Sequence, residues 1–143
     1  MTNALTARTL PVENDRDTGG YWEAARRHEL AVRFCDTCGY ALHMPRAYCH
    51  QCGSWEGSWK TVTGVGRLHS WTTVTHQVHP NFPVPYTIVL VELDEPRSVR
   101  FVGHLPGEPE LYEDQPMEVW FETLDDGTTL PQWRPALSSS SQT

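Results

Sequence analysis

The chain has 143 residues, 38% of them apolar, with 6 Trp, 5 Tyr and 4 Phe; this suffices for one modest core, in one domain or two very small ones. Its formal charge of -7 argues against a binder of nucleic-acid phosphates, whose affinity comes from Lys and Arg displacing counterions. The first residues lack a basic region followed by an apolar run, and no segment approaches the ~18 apolar residues that span a bilayer; a cytoplasmic location, where thiols stay reduced, is the expectation.

Residues 1–16 (MTNALTARTLPVENDR) are polar and aperiodic, and a flexible arm is expected over 1–19. It either stays disordered or orders on a partner. Gly20 to Glu29 (GYWEAARRHE) reads as a short helix, with Glu23 early and Arg26, Arg27 and His28 late to match the dipole. A helix this short is marginal alone and must dock. It docks on its own domain, or on another subunit through Tyr21 and Trp22, aromatic types that anchor interfaces. Leu30, Val32 and Phe34 then alternate as a strand, so 20–34 is helix plus lead-in strand.

All four cysteines follow, in Cys35-Asp36-Thr37-Cys38-Gly39 and Cys49-His50-Gln51-Cys52-Gly53. Two residues between thiolates let one tight turn aim both sulfurs at a point, and a glycine after each pair lets amides turn toward them. Cys35, Cys38, Cys49 and Cys52 thus complete a tetrahedral four-sulfur shell suited to Zn²⁺, a zinc ribbon over 35–58. Iron in the same shell, or two disulfides, are the alternatives. Between the pairs Tyr40, Leu42 and Met44 alternate as a small hairpin. His43 and His50 are not needed as ligands.

From Trp55 the text turns to short β runs. Trp59 to Val62 begins a strand that Gly64-Val65-Gly66 interrupts as a bulge or coil; with no helix after it, this Gly-x-Gly is a poor phosphate loop. Leu68 to Thr75 continues it. Gln77 to Pro85 is a Pro-rich loop with Phe82 at an apolar tip, either a contact surface or folded back over the barrel mouth. Tyr86 to Leu93 is the strongest strand, and Ser98 to Leu105 returns. A helical turn is expected at Leu111-Tyr112. Met117, Val119 and Phe121 alternate with Glu118, Trp120 and Glu122. Asp125-Asp126-Gly127 signals a hairpin turn, and Pro131 confines the last strand, Thr128 to Trp133, to an edge. Five curled antiparallel strands over 59–137 suit a small, partly open OB-type barrel, with a disordered tail at 138–143. The fold class is therefore mainly β: helix, rubredoxin-like zinc ribbon, five-stranded OB barrel.

This ordered set resembles the "domain of unknown function 35" proteins. The matching pieces are YWEAARRHELAVRFCDTCG, HMPRAYCHQCGS, GVGRLHSWTTV, PYTIVLVELDE, the step Gln115-Pro116-Met117-Glu118-Val119 and the closing WRPA, covering residues 21 to 136. The resemblance implies an accessory subunit that binds thiolase-like enzymes or hot-dog-fold acyl-CoA hydratases. In actinobacterial sterol breakdown, a similar domain joins a thiolase-like partner to make an aldolase that cleaves a β-hydroxyacyl-CoA by retro-aldol chemistry.

The residues themselves offer no catalytic unit. The cysteines are committed to metal. His69 and Ser70 are strand neighbours on opposite faces. His76 and His79 flank prolines and lack a third ligand. Arg26, Arg27, Arg33 and Arg46 are candidates for the phosphates of CoA, or plain surface charge. Trp71 and Tyr86 mark a further candidate pocket, or packing. Three functions follow: a non-catalytic subunit of a thiolase-like retro-aldolase or lyase, with acyl-CoA near the interface; a nucleic-acid module, disfavoured by the sparse basic residues of the strands; and a free-standing acyl-CoA carrier.

Overall fold

The computed structural model describes residues 8–137. The expected tail at 138–143 and the beginning of the expected arm lie outside the described residues. The elements run α1 (Gly19–Arg26), β1 (Leu30–Cys35), β2 (Ala41–Leu42), β3 (Gly57–Val62), β4 (Val65–Val74), β5 (Tyr86–Leu93), β6 (Arg100–Pro106), β7 (Pro116–Thr123) and β8 (Thr129–Pro135). They form an antiparallel β2-β1-β3 sheet and a five-stranded antiparallel sheet in the order β6-β5-β4-β7-β8. This is the mainly β plan the sequence implied, with an OB-like sheet that is not closed. No ladder joins β6 to β8, and Pro131 lies on an edge strand as expected.

Side-chain alternation explains the core. Along β5, Thr87, Val89, Val91 and Leu93 are buried while the residues between them are half-buried. Met117 is buried on β7, with Val119 and Phe121 packed against the same cluster. Leu68, Val99, Phe101, Leu105 and Trp133 complete it. Leu30 and Val32 of β1 belong to this barrel core, whereas Cys35 at the end of the same strand belongs to a small separate cluster with Leu42 and Cys49. One strand therefore ties the cysteine site mechanically to the barrel.

Three expectations change. The helix ends at Arg26 rather than Glu29. The His28 amide donates to the Ala25 carbonyl and the Glu29 amide to that of Ala24, with His28 at φ 59°. This left-handed cap stops the helix, and the His28 ring stacks on Phe121 at 5.3 Å. Residues 59–75 are not one interrupted strand but two, in different sheets: β3 pairs with β1, and β4 with β5 and β7. The break between them is a coil at Gly64, φ 74°, one of the two forms expected there, and a bulge lies further on at His69. Residues 111–112 form no helical turn; the chain turns at Glu113-Asp114 into β7.

At Gly66, a Cβ would collide with the backbone carbonyl oxygen of Glu92 on β5, an atom that cannot swing aside. Gly66→Ala should cost about 1–3 kcal/mol, as overpacking does. The check is a lowered urea midpoint at unchanged m-value.

Candidate functional site

The two Cys-x-x-Cys turns are built alike. The Gly39 amide donates to the Cys35 carbonyl at 2.9 Å, and the Gly53 amide to the Cys49 carbonyl at 2.7 Å. The Cys35 amide donates to the Tyr40 carbonyl and the Cys49 amide to the Ser54 carbonyl, at 2.9 and 2.8 Å. Gly39 and Gly53 have φ of 79° and 82°, the left-handed region that a side chain would strain. Hydroxyl contacts lace the turns together, from Thr37 to Ser54 and from Ser58 to the Asp36 carboxylate, both 2.8 Å.

All four Sγ atoms lie within 4.8 Å of one another. Cys35–Cys52 and Cys38–Cys49 are separated by 3.6 and 3.7 Å. A tetrahedron of ~2.3 Å zinc–sulfur bonds sets edges of about 3.8 Å, so the shell fits Zn²⁺. The sulfurs are far beyond bonding distance and all four thiols are free, which removes the disulfide alternative. The Cys38 amide points at the Cys35 sulfur from 3.5 Å, and with the Thr37 amide and neighbouring thiols it draws that thiol down, whereas burial and the adjoining sulfurs push Cys38 and Cys52 up, so the four ionise together only when a metal supplies the balancing charge. When bound, the ion supplies a cross-link between the turns. Four thiolates leave it no open position for a substrate. His43 and His50 are not ligands: His43 packs on Phe101 at 4.3 Å, with its pKa lowered by burial, and His50 meets the edge of Tyr40 at 5.1 Å.

Four of the aromatic residues singled out in the sequence, Tyr21, Trp22, Phe82 and Tyr86, converge on the β6 surface. Tyr21 stacks on Phe101 at 5.9 Å, and burial pushes its phenol upward from the ordinary range. Trp22 meets the edge of Tyr21 at 4.9 Å. Both line a groove of about 690 Å³ with Met44, Val102 and Pro131. Phe82, 37% exposed, sits among His79, Tyr86 and His104, in a second groove of about 500 Å³ that also includes Val102. Val102, 70% exposed, thus joins the two grooves, and Met44 at 69% and Val78 at 77% extend the apolar surface. Tyr86 lines the second groove; Trp71 lines neither.

The arginines divide. Arg26 pairs with Glu13 at 3.3 Å, and Arg27 with Glu29 at 3.4 Å and Glu23 at 3.9 Å. Arg33 and Arg46 instead line one recess with Arg16, Asp17 and Trp55. The sequence reading missed Trp55 and Arg16 as members of this set. Spacing gave no signal, since residues 16, 33, 46 and 55 meet only through the β1–β3 pairing and the inter-turn loop.

His104 was missed too. Its Nε2 is buried with no partner among the described residues, and it lines the edge of the β6–β8 opening with Arg8, Glu122 and Gln132. Burial lowers its pKa, and the Arg8 guanidinium, 2.7 Å from Glu122, lowers that of the carboxylate. His69 and Ser70 are both exposed, because the bulge breaks the alternation expected there, and no hydrogen bond joins them among the described residues.

A family model described as the rubredoxin-like zinc ribbon domain of ChsH2 matches residues 22–56. One described as the C-terminal OB-fold domain of ChsH2 matches residues 59–122. The chain belongs to the ChsH2-type DUF35 family. A solved structure described as "Ltp2-ChsH2(DUF35) aldolase" is similar over 89% of this chain and 100% of that one, at 31% identity and a TM-score of 0.78. A DUF35 protein of unknown function from Sulfolobus solfataricus shares the fold at 14% identity and a TM-score of 0.53. Among curated relatives, the "Probable enoyl-CoA hydratase alpha subunit" of Thermomonospora curvata is 36% identical over 134 residues. The "3-oxo-4,17-pregnadiene-20-carboxyl-CoA hydratase alpha subunit" of Mycobacterium tuberculosis is 33% identical over 95 residues. The chain spans 40% and 29% of the lengths of these two relatives. No helix among the described residues is long and apolar enough to cross a membrane.

Proposed function

We propose that the chain is a zinc-binding accessory subunit of a thiolase-like acyl-CoA enzyme, a retro-aldolase or lyase that cleaves the β-hydroxyacyl-CoA of a steroid or lipid side chain. The observation that carries this reading is the similarity to the DUF35 chain of the Ltp2-ChsH2 aldolase over that chain's whole length. In this reading the acid–base groups belong to the partner, and the four-thiolate shell, which leaves a bound ion no open position for substrate, is consistent with it. The continuous apolar surface from Trp22 and Met44 through Val102 to Phe82 supports docking there, since exposed apolar patches of this kind mark interfaces. Tyr21 forms its floor. In this role the chain braces the partner's acyl-CoA channel and has no turnover of its own.

A second reading, subunit of an acyl-CoA hydratase, is favoured by the names of the two curated relatives. Co-expression with a thiolase-like protein and with a hot-dog-fold hydratase separates them. The first reading expects co-purification with the thiolase-like protein, and retro-aldol cleavage that neither chain performs alone. Full cleavage by the partner without this chain, or thioester turnover by this chain unaided, overturns it.

A further inference from the structure

The described residues include every Lys and Arg of the chain, and eight of the ten arginines have a carboxylate within 4.0 Å. The two with no carboxylate partner among the described residues, Arg33 and Arg46, line the same recess, of about 300 Å³. In a protein of formal charge -7, unpaired cations gathered in one concavity call for an anion from outside. The recess also contains Arg16 and Asp17, paired to each other at 2.9 Å, so it has an excess of positive charge.

The arrangement is held in place. The Arg33 Nε donates to the Arg46 carbonyl at 3.2 Å. Its guanidinium lies flat against Gly57, where a Cβ would come within 2.7 Å of Nη2. The planar donor fork is therefore held by its neighbours, as bidentate recognition of a phosphate requires. Trp55, 69% exposed, forms part of the wall and rests against Tyr48 at 5.4 Å. An indole left open beside unpaired guanidiniums is a platform on which a base can stack. The volume sits at the low end of the ~300–1,000 Å³ of small-molecule sites, room for a nucleotide head and not for a whole acyl thioester.

We infer that this recess, formed by Arg33, Arg46 and Trp55, binds the phosphorylated adenosine end of CoA, with the guanidiniums on phosphate and the indole on the purine. Arg26 and Arg27, already held by carboxylates, take no part. The inference rests on the reading that the partner works on acyl-CoA, and it gives the present chain one end of that substrate.

The test is calorimetric titration of the full chain with adenosine 3′,5′-bisphosphate, AMP and inorganic phosphate, with tryptophan fluorescence as a second readout. Saturable binding of the bisphosphate is expected, weaker for AMP, weakest for phosphate, and diminished by salt. Arg46→Ala and Trp55→Ala should each weaken it about tenfold, the scale of a charge-assisted hydrogen bond or a stacked base. Trp55→Ala should also remove the fluorescence change, and Arg97→Ala, remote and paired with Glu92, should leave both readouts alone. Both recess variants are at exposed positions and should fold, so the result does not depend on Arg33, whose loss disturbs the loop it holds. No saturable binding, or equal binding by Arg46→Ala, overturns the inference. So does loss of partner co-purification in these variants without nucleotide binding in the wild type, which would make the recess a protein contact. None of these results requires the partner's activity, so the subunit reading above stands or falls separately.

Discussion

Cys49→Ser is expected to lose stoichiometric zinc and to unfold the ribbon while the five-stranded sheet persists. The ribbon's own buried cluster is only Cys35, Leu42 and Cys49, too little to order two turns and the loop between them without a cross-link. Structural zinc supplies ~10–16 kcal/mol of apparent binding energy in small modules, and a serine hydroxyl is a poor substitute for a thiolate. The barrel core is separate and keeps Leu30 and Val32 of β1 anchored. Amide exchange should therefore show residues 36–56 unprotected and residues 86–105 still protected. Cys38→Ser, at an exposed cysteine, should do the same, because the count of thiolates matters and the burial of any one does not. Chelating zinc from the wild type should reproduce the pattern and abolish partner co-purification. Metal retained with native protection in Cys49→Ser would sink this account.

Trp133→Ala is expected to destabilise the barrel by ~3–5 kcal/mol, the cost of emptying a large aromatic site. Trp133 is 1% exposed on the edge strand β8, and its ring faces Phe101 of β6 at 5.9 Å. A Cβ on Gly103 would stand 3.0 Å from its own Cβ. The ring thus plugs the side of the sheet where β6 and β8 meet without a ladder. Against the ~5–15 kcal/mol of a whole domain, this is a large fraction. Phe101 also supports Tyr21, so loss of the ring should loosen α1 with the barrel. Chemical denaturation gives the size, and exchange at Tyr21 to Ala25 gives the coupling. A loss below about 1 kcal/mol would show that the opening is sealed by something other than this side chain.

The ligand set was legible because it is local. Two Cys-x-x-Cys turns encode their own geometry in five residues each, and the structure adds only that all four sulfurs meet. The alternation of β7 was legible for the same reason, since a period of two needs no knowledge of the partner strand; β5 was legible as a strand, but its apolar residues fall on both faces, and only packing shows that Thr87, Val89, Val91 and Leu93 turn inward. The helix boundary was not: a histidine in the left-handed cap is uncommon, and its stacking on Phe121, far along the chain, accompanies it. The arginines were legible as a group and misleading as a group. Only the pairing of Arg26 and Arg27 with nearby carboxylates separates them from Arg33 and Arg46.

By itself, then, the sequence determined the metal-binding shell, the presence of most strands and the face β7 turns inward, all products of short-range spacing and backbone geometry. The tertiary structure alone decided that β3 joins β1 beside the metal rather than running on into the barrel, that β6 and β8 face each other unladdered, and that Arg16, Arg33, Arg46 and Trp55 share one recess. Those outcomes depend on register and docking between distant segments, whose energies come from contacts that no local window of the chain contains.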